Sequence, residues 1–167
     1  LLVALRPDVP TMRAIERILM TLQTHTIRLL AAAALAATAV ARAEPRIAPG
    51  DIPGVQRVDA AGVIRLADTT PQLVIIDSRI AMDRKQGYIE GSVSMPDVDT
   101  TCASLARAVP VRTRPVLFYC NGPRCGRSAV AARIAHGCGY RNVYWYRDGF
   151  EDWKTKGYPY LKPRLAR

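Results

Sequence analysis

The sequence predicts an α/β domain built on a mainly parallel sheet, and three observations lead there. Short apolar runs rich in β-branched and aromatic residues, Leu73–Ile76, Val116–Tyr119 and Val143–Tyr146, recur along the chain. Each is followed by a polar or alanine-rich stretch compatible with a helix. LVII in particular is continuously apolar between Pro71 and Asp77, as in a strand covered on both faces. Strands alternating with short helices need crossovers, and crossovers give parallel pairing.

The elements follow in order. Residues 20–43, MTLQTHTIRLLAAAALAATAVARA, place Arg28 before an apolar run from Leu29 to Val40 and end Ala41-Arg42-Ala43. That is the pattern of a cleaved secretory signal: the run is short for a bilayer, and small residues stand where a signal peptidase cuts. Met20 is then the expected start, with residues 1–19 an upstream extension. Of the +10 formal charge, residues 1–43 hold five basic and two acidic groups, so the remaining 44–167 carry +7. The basic residues are scattered, which argues against nucleic acid and leaves a small anionic ligand or an anionic membrane surface compatible.

Residues 44–54 are rich in proline and glycine and read as a linker or ordered coil. Val55–Val58 is a short strand, and Asp59 is placed to cap the helix AAGVIRLA. After LVII, the polar segment from Asp77 is helix-compatible, Gly87 and Gly91 punctuate it, and Val93–Met95 is a strand stopped by Pro96. A helix beginning near Asp99–Thr101 is expected to turn Leu105, Ala106 and Val109 to the sheet. Helix Ser128–His136 carries Ala129, Ala132, Ile134 and Ala135 for close packing, and Gly137 and Gly139 end it. VYWY is a further strand. FEDWKTKG is a short helix with Phe150 and Trp153 inward, and residues 162–167 form a tail.

The chemistry gathers in VLFYCNGPRCGRS. Cys120 ends a strand, where open α/β sheets place their ligand sites. Gly122 and Gly126 let the loop turn, and its amides and the following helix start favour a thiolate or a bound anion. Arg124 and Arg127 supply donors for anionic oxygens, and Asn121 and Ser128 complete the candidate loop, with Ser128 read first as the cap of the following helix. The chemistry that fits is a Cys120 thiolate that attacks an electrophilic sulfur and carries it as a persulfide. Cys125 reads as a resolving thiol, with nucleophile or structural partner as alternatives. Asp77 and Asp148 end strands at the same edge. Cys102 and Cys138 fall in helical patterns and are expected to be packed and inert, although four cysteines allow several pairings. Cys-x4-Cys lacks zinc spacing, and one histidine, His136, follows residue 43, so no metal is expected.

From about 55 to 161 the chain resembles the single-domain rhodanese family of sulfurtransferases. LVIIDSR is similar to that family's strand ending in aspartate and arginine, here Asp77 and Arg79. GYIEGSVSMP resembles its glycine–histidine–isoleucine motif, with Tyr88 at the histidine. LFYC resembles the strand with the catalytic cysteine, and VYWYRDGFEDWKTKGYP the closing strand, with Gly149, Trp153, Gly157 and Pro159. The usual loop puts arginine and then serine or threonine five and six positions after the cysteine. Here Arg127 and Ser128 come seven and eight after, so the loop is two residues longer and holds a second cysteine. This is similar to an exported subgroup of the family. The family's phosphatase-like members have five residues between cysteine and arginine, a spacing this chain lacks.

The resemblance implies a three-layer domain around a roughly five-stranded sheet. It also implies an exported, periplasmic or secreted sulfurtransferase that moves sulfane sulfur from a thiosulfate-like donor to a thiol or cyanide through Cys120. Cys120 and Cys125 are then catalytic. Asn121, Gly122, Arg124, Gly126, Arg127, Ser128, Asp77 and Arg79 are substrate-binding, with no cofactor. The expected partners are a small anionic sulfur donor and a thiol or protein acceptor, with no nucleic acid and no stable membrane insertion. Two rivals stand beside this: a thiol–disulfide redox or sensing protein using Cys120 and Cys125, and a non-catalytic binding module.

Overall fold

The computed structural model describes residues 47–163. The signal segment, Met20 and residues 164–167 of the tail lie outside them. The element order is β1 (Gln56–Val58), α1 (Ala60–Thr69), β2 (Val74–Asp77), α2 (Ala81–Arg84), β3 (Val93–Ser94), α3 (Cys102–Ala108), β4 (Val116–Tyr119), α4 (Arg127–Gly137), β5 (Val143–Tyr146) and α5 (Gly149–Thr155). A 3-10 turn, Asp97–Asp99, precedes α3.

The five strands form one sheet in the order β1-β5-β4-β2-β3, and every neighbouring pair is parallel. The expectation of a mainly parallel, roughly five-stranded sheet holds. β4 lies at the centre, paired Val74 to Val116 through Asp77 to Tyr119 on one side and Val116 to Val143 through Tyr119 to Tyr146 on the other. Its four residues are all buried.

Because side chains alternate along a strand, the two sheet faces have separate cores. Ile76, Phe118 and Trp145 face Leu105 and Val109 from the α3 side and the alanines of α4. Ile75, Leu117, Tyr119 and Tyr146 face Ala60 and Val63 of α1 and Phe150 and Trp153 of α5. Helices therefore cover both faces, giving three layers. The alanine face of α4 (Ala129, Ala132, Ala135) brings that helix close against the central strand.

Local chemistry starts the helices where the sequence indicates. The Asp59 carboxylate accepts the Gly62 N–H at 2.7 Å, and Thr101 and Ser104 form a reciprocal capping box. Two expectations need correction. Ala106 is exposed, and Ser104 is buried in its place because the capping box turns it inward. Ser128 caps nothing: Gly126 stands at the N-cap of α4, and the Ser128 hydroxyl, inside the first turn, accepts the Trp145 indole N–H at 3.0 Å.

The segment before β1 packs on the domain. Ala48 and Ile52 are buried in the α4-side core, and the Ala48 N–H donates to the Pro123 carbonyl at 2.9 Å. At the other end, Tyr88 and Leu161 exchange backbone hydrogen bonds across an antiparallel bridge. Among the described residues no helix is long and apolar enough to cross a membrane.

Candidate functional site

The sheet's carboxyl edge gathers the ends of β2, β4 and β5 and the loop from Cys120 to Gly126. The loop is anchored from α5. The Phe150 N–H donates to the Cys120 carbonyl and the Glu151 N–H to the Asn121 carbonyl, both at 2.8 Å. These bonds bring backbone against backbone. Gly149 makes that possible: its φ is +66°, and a Cβ there would run into the Cys120 carbonyl oxygen. The Cys125 N–H then folds back onto the Gly122 carbonyl at 2.9 Å and closes the turn.

That turn sets Cys120 and Cys125 at a Cα separation of 6.2 Å, and their sulfurs are bonded to each other. A second disulfide joins Cys102 to Cys138, with Cα atoms 5.5 Å apart. Among the described residues no cysteine is free. Both separations fall in the range a disulfide requires.

These pairings overturn the leading functional expectation. Persulfide chemistry needs a free thiolate, and the Cys120 sulfur is committed to Cys125. Sulfur transfer through a Cys120 persulfide, the assignment as a sulfurtransferase enzyme and the description of Cys120 as its cysteine nucleophile are therefore withdrawn. Cys102 and Cys138 are corrected as well: they are a covalent staple between the start of α3 and the end of α4, not two inert packed thiols.

Beneath the loop lies a buried charged network. The Arg79 guanidinium donates to both oxygens of Asp77 (Nε to Oδ1 at 2.8 Å, Nη2 to Oδ2 at 2.7 Å), and both side chains are buried. Arg84 adds a bond to Asp77 Oδ2 at 2.9 Å, and the Tyr119 hydroxyl donates to the same oxygen at 2.8 Å. Tyr119 accepts the Ile89 N–H and shares a hydrogen bond with Ser92. Burial pushes the Tyr119 hydroxyl well above the usual phenol range and the Asp77 charge pushes it further, so it stays a neutral donor. Burial opposes the Arg79 charge, but its hydrogen bonds to Asp77 prevail, and it stays protonated. Asp77 and Arg79 thus satisfy each other under the loop, and Arg79 also reaches the Gly87 carbonyl at 2.7 Å.

The polar loop residues are tied down from the side. Asp83 accepts the Asn121 amide N–H at 2.9 Å and faces Arg127 at 3.7 Å, while Asp97 faces Arg127 at 3.6 Å. Arg127 is therefore engaged by two carboxylates. Arg124 and Pro123 are exposed at the tip, Cys125 is half-buried and Cys120 is fully buried. Gly122 packs beside Glu151 and the Asp148 carbonyl, Gly126 opens α4, and Asp148 contacts Arg57 and Arg147.

Sequence reasoning missed Asp83, Asp97, Arg84 and Tyr119 as partners of this edge. Each is drawn in by a strand register or a crossover that no local pattern encodes. Only the aspartate–arginine pair closing the LVII strand carried a signal. Among the described residues no group of three or more histidine, cysteine or acidic side chains is placed to hold a metal ion.

Comparison with known proteins adds the family dimension. A family model described as "Rhodanese-like domain" matches residues 59–156. A solved protein from Bacillus halodurans is 22% identical, covers 64% of this chain and 77% of its own, and gives a TM-score of 0.57. The polysulfide-sulfur transferase homodimer of Wolinella succinogenes is 20% identical over 66% of this chain and 80% of its own, with a TM-score of 0.56. A rhodanese-like domain from Anabaena sp. is 24% identical over 64% and 79%, at 0.54. These likenesses are of fold. No curated protein matches the chain.

Proposed function

The chain belongs to the rhodanese-like domain family, and from that premise we propose that it is a thiol–disulfide redox or sensing protein whose exchanging pair is Cys120 and Cys125. The observation that carries this reading is the Cys120–Cys125 bond itself, at the ligand edge of the sheet, with one sulfur buried and the other half-buried.

The chemistry balances with a thiol or dithiol as co-reactant. A partner thiolate attacks the accessible Cys125 sulfur and forms a mixed disulfide. The Cys120–Cys125 bond breaks, and Cys120 leaves as a thiolate. A second thiolate of the partner then attacks its own sulfur in the mixed disulfide, releasing the Cys125 thiolate and an oxidised partner. Two electrons pass from the dithiol to the loop, and solvent protonates the released thiolates according to their pKa. Cys125, whose sulfur carries the exchange, directly precedes Gly126 at the N-cap of α4, and the unpaired N–H groups of a helix start favour negative charge.

In this reading Gly122 and Gly126 let the loop open and close. Asn121 and Arg127 hold its two flanks through Asp83 and Asp97. Arg124 at the exposed tip meets the partner. Asp77 and Arg79 supply the rigid floor, and Ser128 locks α4 to β5. Two disulfides in one small domain favour an oxidising compartment, in keeping with an exported protein.

The test is a trap. Cys120→Ser leaves Cys125 with no internal thiol to expel a bound partner. Incubation with oxidised glutathione is then expected to load one persistent glutathione on Cys125. Cys125→Ser, which keeps only buried Cys120, is expected to load at least tenfold more slowly. Trypsin cleavage after Arg124 separates the two cysteines for mass mapping. Equal rates would show that Cys125 is not the entry sulfur, and no adduct in either variant would end the redox reading.

A further inference from the structure

Ser78 is fully buried, and its hydroxyl has no hydrogen-bond partner among the described residues. A buried unpaired hydroxyl costs free energy, so its position invites a physical account. The sheet register gives one. The Val74 N–H donates to the Pro115 carbonyl where Val74 pairs with Val116. The Ser78 N–H donates to the Tyr119 carbonyl at 3.0 Å in the same relation, one step past the last registered pair, Asp77 and Tyr119, and this sets Ser78 level with Cys120.

Paired residues project from the same face of a sheet, on strands about 4.8 Å apart. Ile76 and Phe118, two residues earlier on each strand, both face α4. Ser78 and Cys120 therefore share that face, side by side.

Building on the redox reading of the loop, we propose that Ser78 is the hydroxyl donor kept for the Cys120 thiolate. In the disulfide form the Cys120 sulfur is bonded to Cys125, and the Ser78 hydroxyl is left without an acceptor. When the bond is reduced, the released sulfur carries a full negative charge beside that hydroxyl. The orphaned group then gains a charge-assisted hydrogen bond. The same side chain thus penalises the oxidised form and stabilises the reduced one, which makes the loop the more oxidising toward its partner. The charged groups on the elements around Cys120 are Arg147 with its neighbour Asp148, Arg127 held by Asp83 and Asp97, and Glu151 beside Gly122. None of them is removed by a change at Ser78.

The test compares wild type and Ser78→Ala in glutathione buffers, reading the Cys120–Cys125 state by quenched mass mapping and the melting temperature of each protein with that bond oxidised and with it reduced. Ser78→Ala is expected to shift the exchange equilibrium about tenfold toward the disulfide, a fall of about 30 mV in potential. The melting temperature of the oxidised form is expected to hold or rise. An equilibrium within twofold of wild type overturns the proposal. So does an equal loss of stability in both redox forms, which would mark Ser78 as a packing residue only. Failure of the wild-type loop to exchange at all is a different result, and it overturns the redox reading together with the inference built on it.

Discussion

Replacing both Cys102 and Cys138 by alanine isolates the structural work of the second disulfide. The bridge spans a sequence separation of 36 and ties the start of α3 to the end of α4. Closing a loop of that size in the unfolded chain removes entropy worth about 4 kcal/mol at room temperature. The lost sulfur packing adds little, because Cys102 is exposed and only Cys138 is buried. Cys120 and Cys125 have a sequence separation of 5, for which the same relation gives about 2 kcal/mol. Paired alanine variants keep the redox state of the remaining bridge fixed, so the unfolding transition stays simple. Urea unfolding of the Cys102→Ala/Cys138→Ala protein is expected to show a loss of about 4 kcal/mol, about twice that of Cys120→Ala/Cys125→Ala. A loss below about 1 kcal/mol for the longer bridge would refute the reasoning, as would a ranking in which the short bridge matters more.

Ser128→Ala strands the buried Trp145 N–H and is expected to cost about 1–3 kcal/mol in denaturant unfolding; an unchanged midpoint would remove Ser128 from the core's polar bonds. Gly149→Ala meets both a positive φ and the Cys120 carbonyl. It is expected to destabilise by more than about 1 kcal/mol and to change the exchange rate of the Cys120–Cys125 bond, read by timed alkylation. Arg79→Met removes the bidentate partner of buried Asp77 and is expected to cost about 3–5 kcal/mol by thermal or urea unfolding. Burial works to raise the Asp152 carboxyl, but hydrogen bonds from Lys156 and Tyr146 outweigh it and hold the group below the usual carboxylate range. Its contribution is therefore present above the unfolded carboxyl's pKa and lost as pH falls through the depressed folded value. Asp152→Asn is expected to lower stability at neutral pH and to lessen its decline in acid, measured as melting temperature against pH.

Much of the fold could be read from the chain because its signals are local. Continuous apolar strands such as LVII and VLFY, the Asp59 cap and the alanine face of α4 each depend on residues close in sequence. The place of Cys120 at a strand end was legible for the same reason. What escaped depends on distance. Ser128 reads as a cap from its neighbours, but its partner Trp145 is 17 residues on, brought in by the pairing of β4 with β5. Asp83 reaches Asn121 across a separation of 38, and nothing in the polar stretch before Gly87 marks it out. The cysteine pairing is the sharpest case. Spacing alone allows Cys120 and Cys125 to be free or joined, and only the turn closed by the Cys125 N–H on Gly122 brings them together.

In the proposed function Cys120–Cys125 is the working bond and Cys102–Cys138 the structural one. The most direct measurement is a redox titration of the folded protein in glutathione buffers, quenched with acid and mapped by peptide mass. The expected result is reversible gain and loss of two hydrogens at Cys120 and Cys125 while Cys102 and Cys138 stay joined and the fold persists. The contradictory result is that both bonds resist reduction until the protein unfolds and then open together.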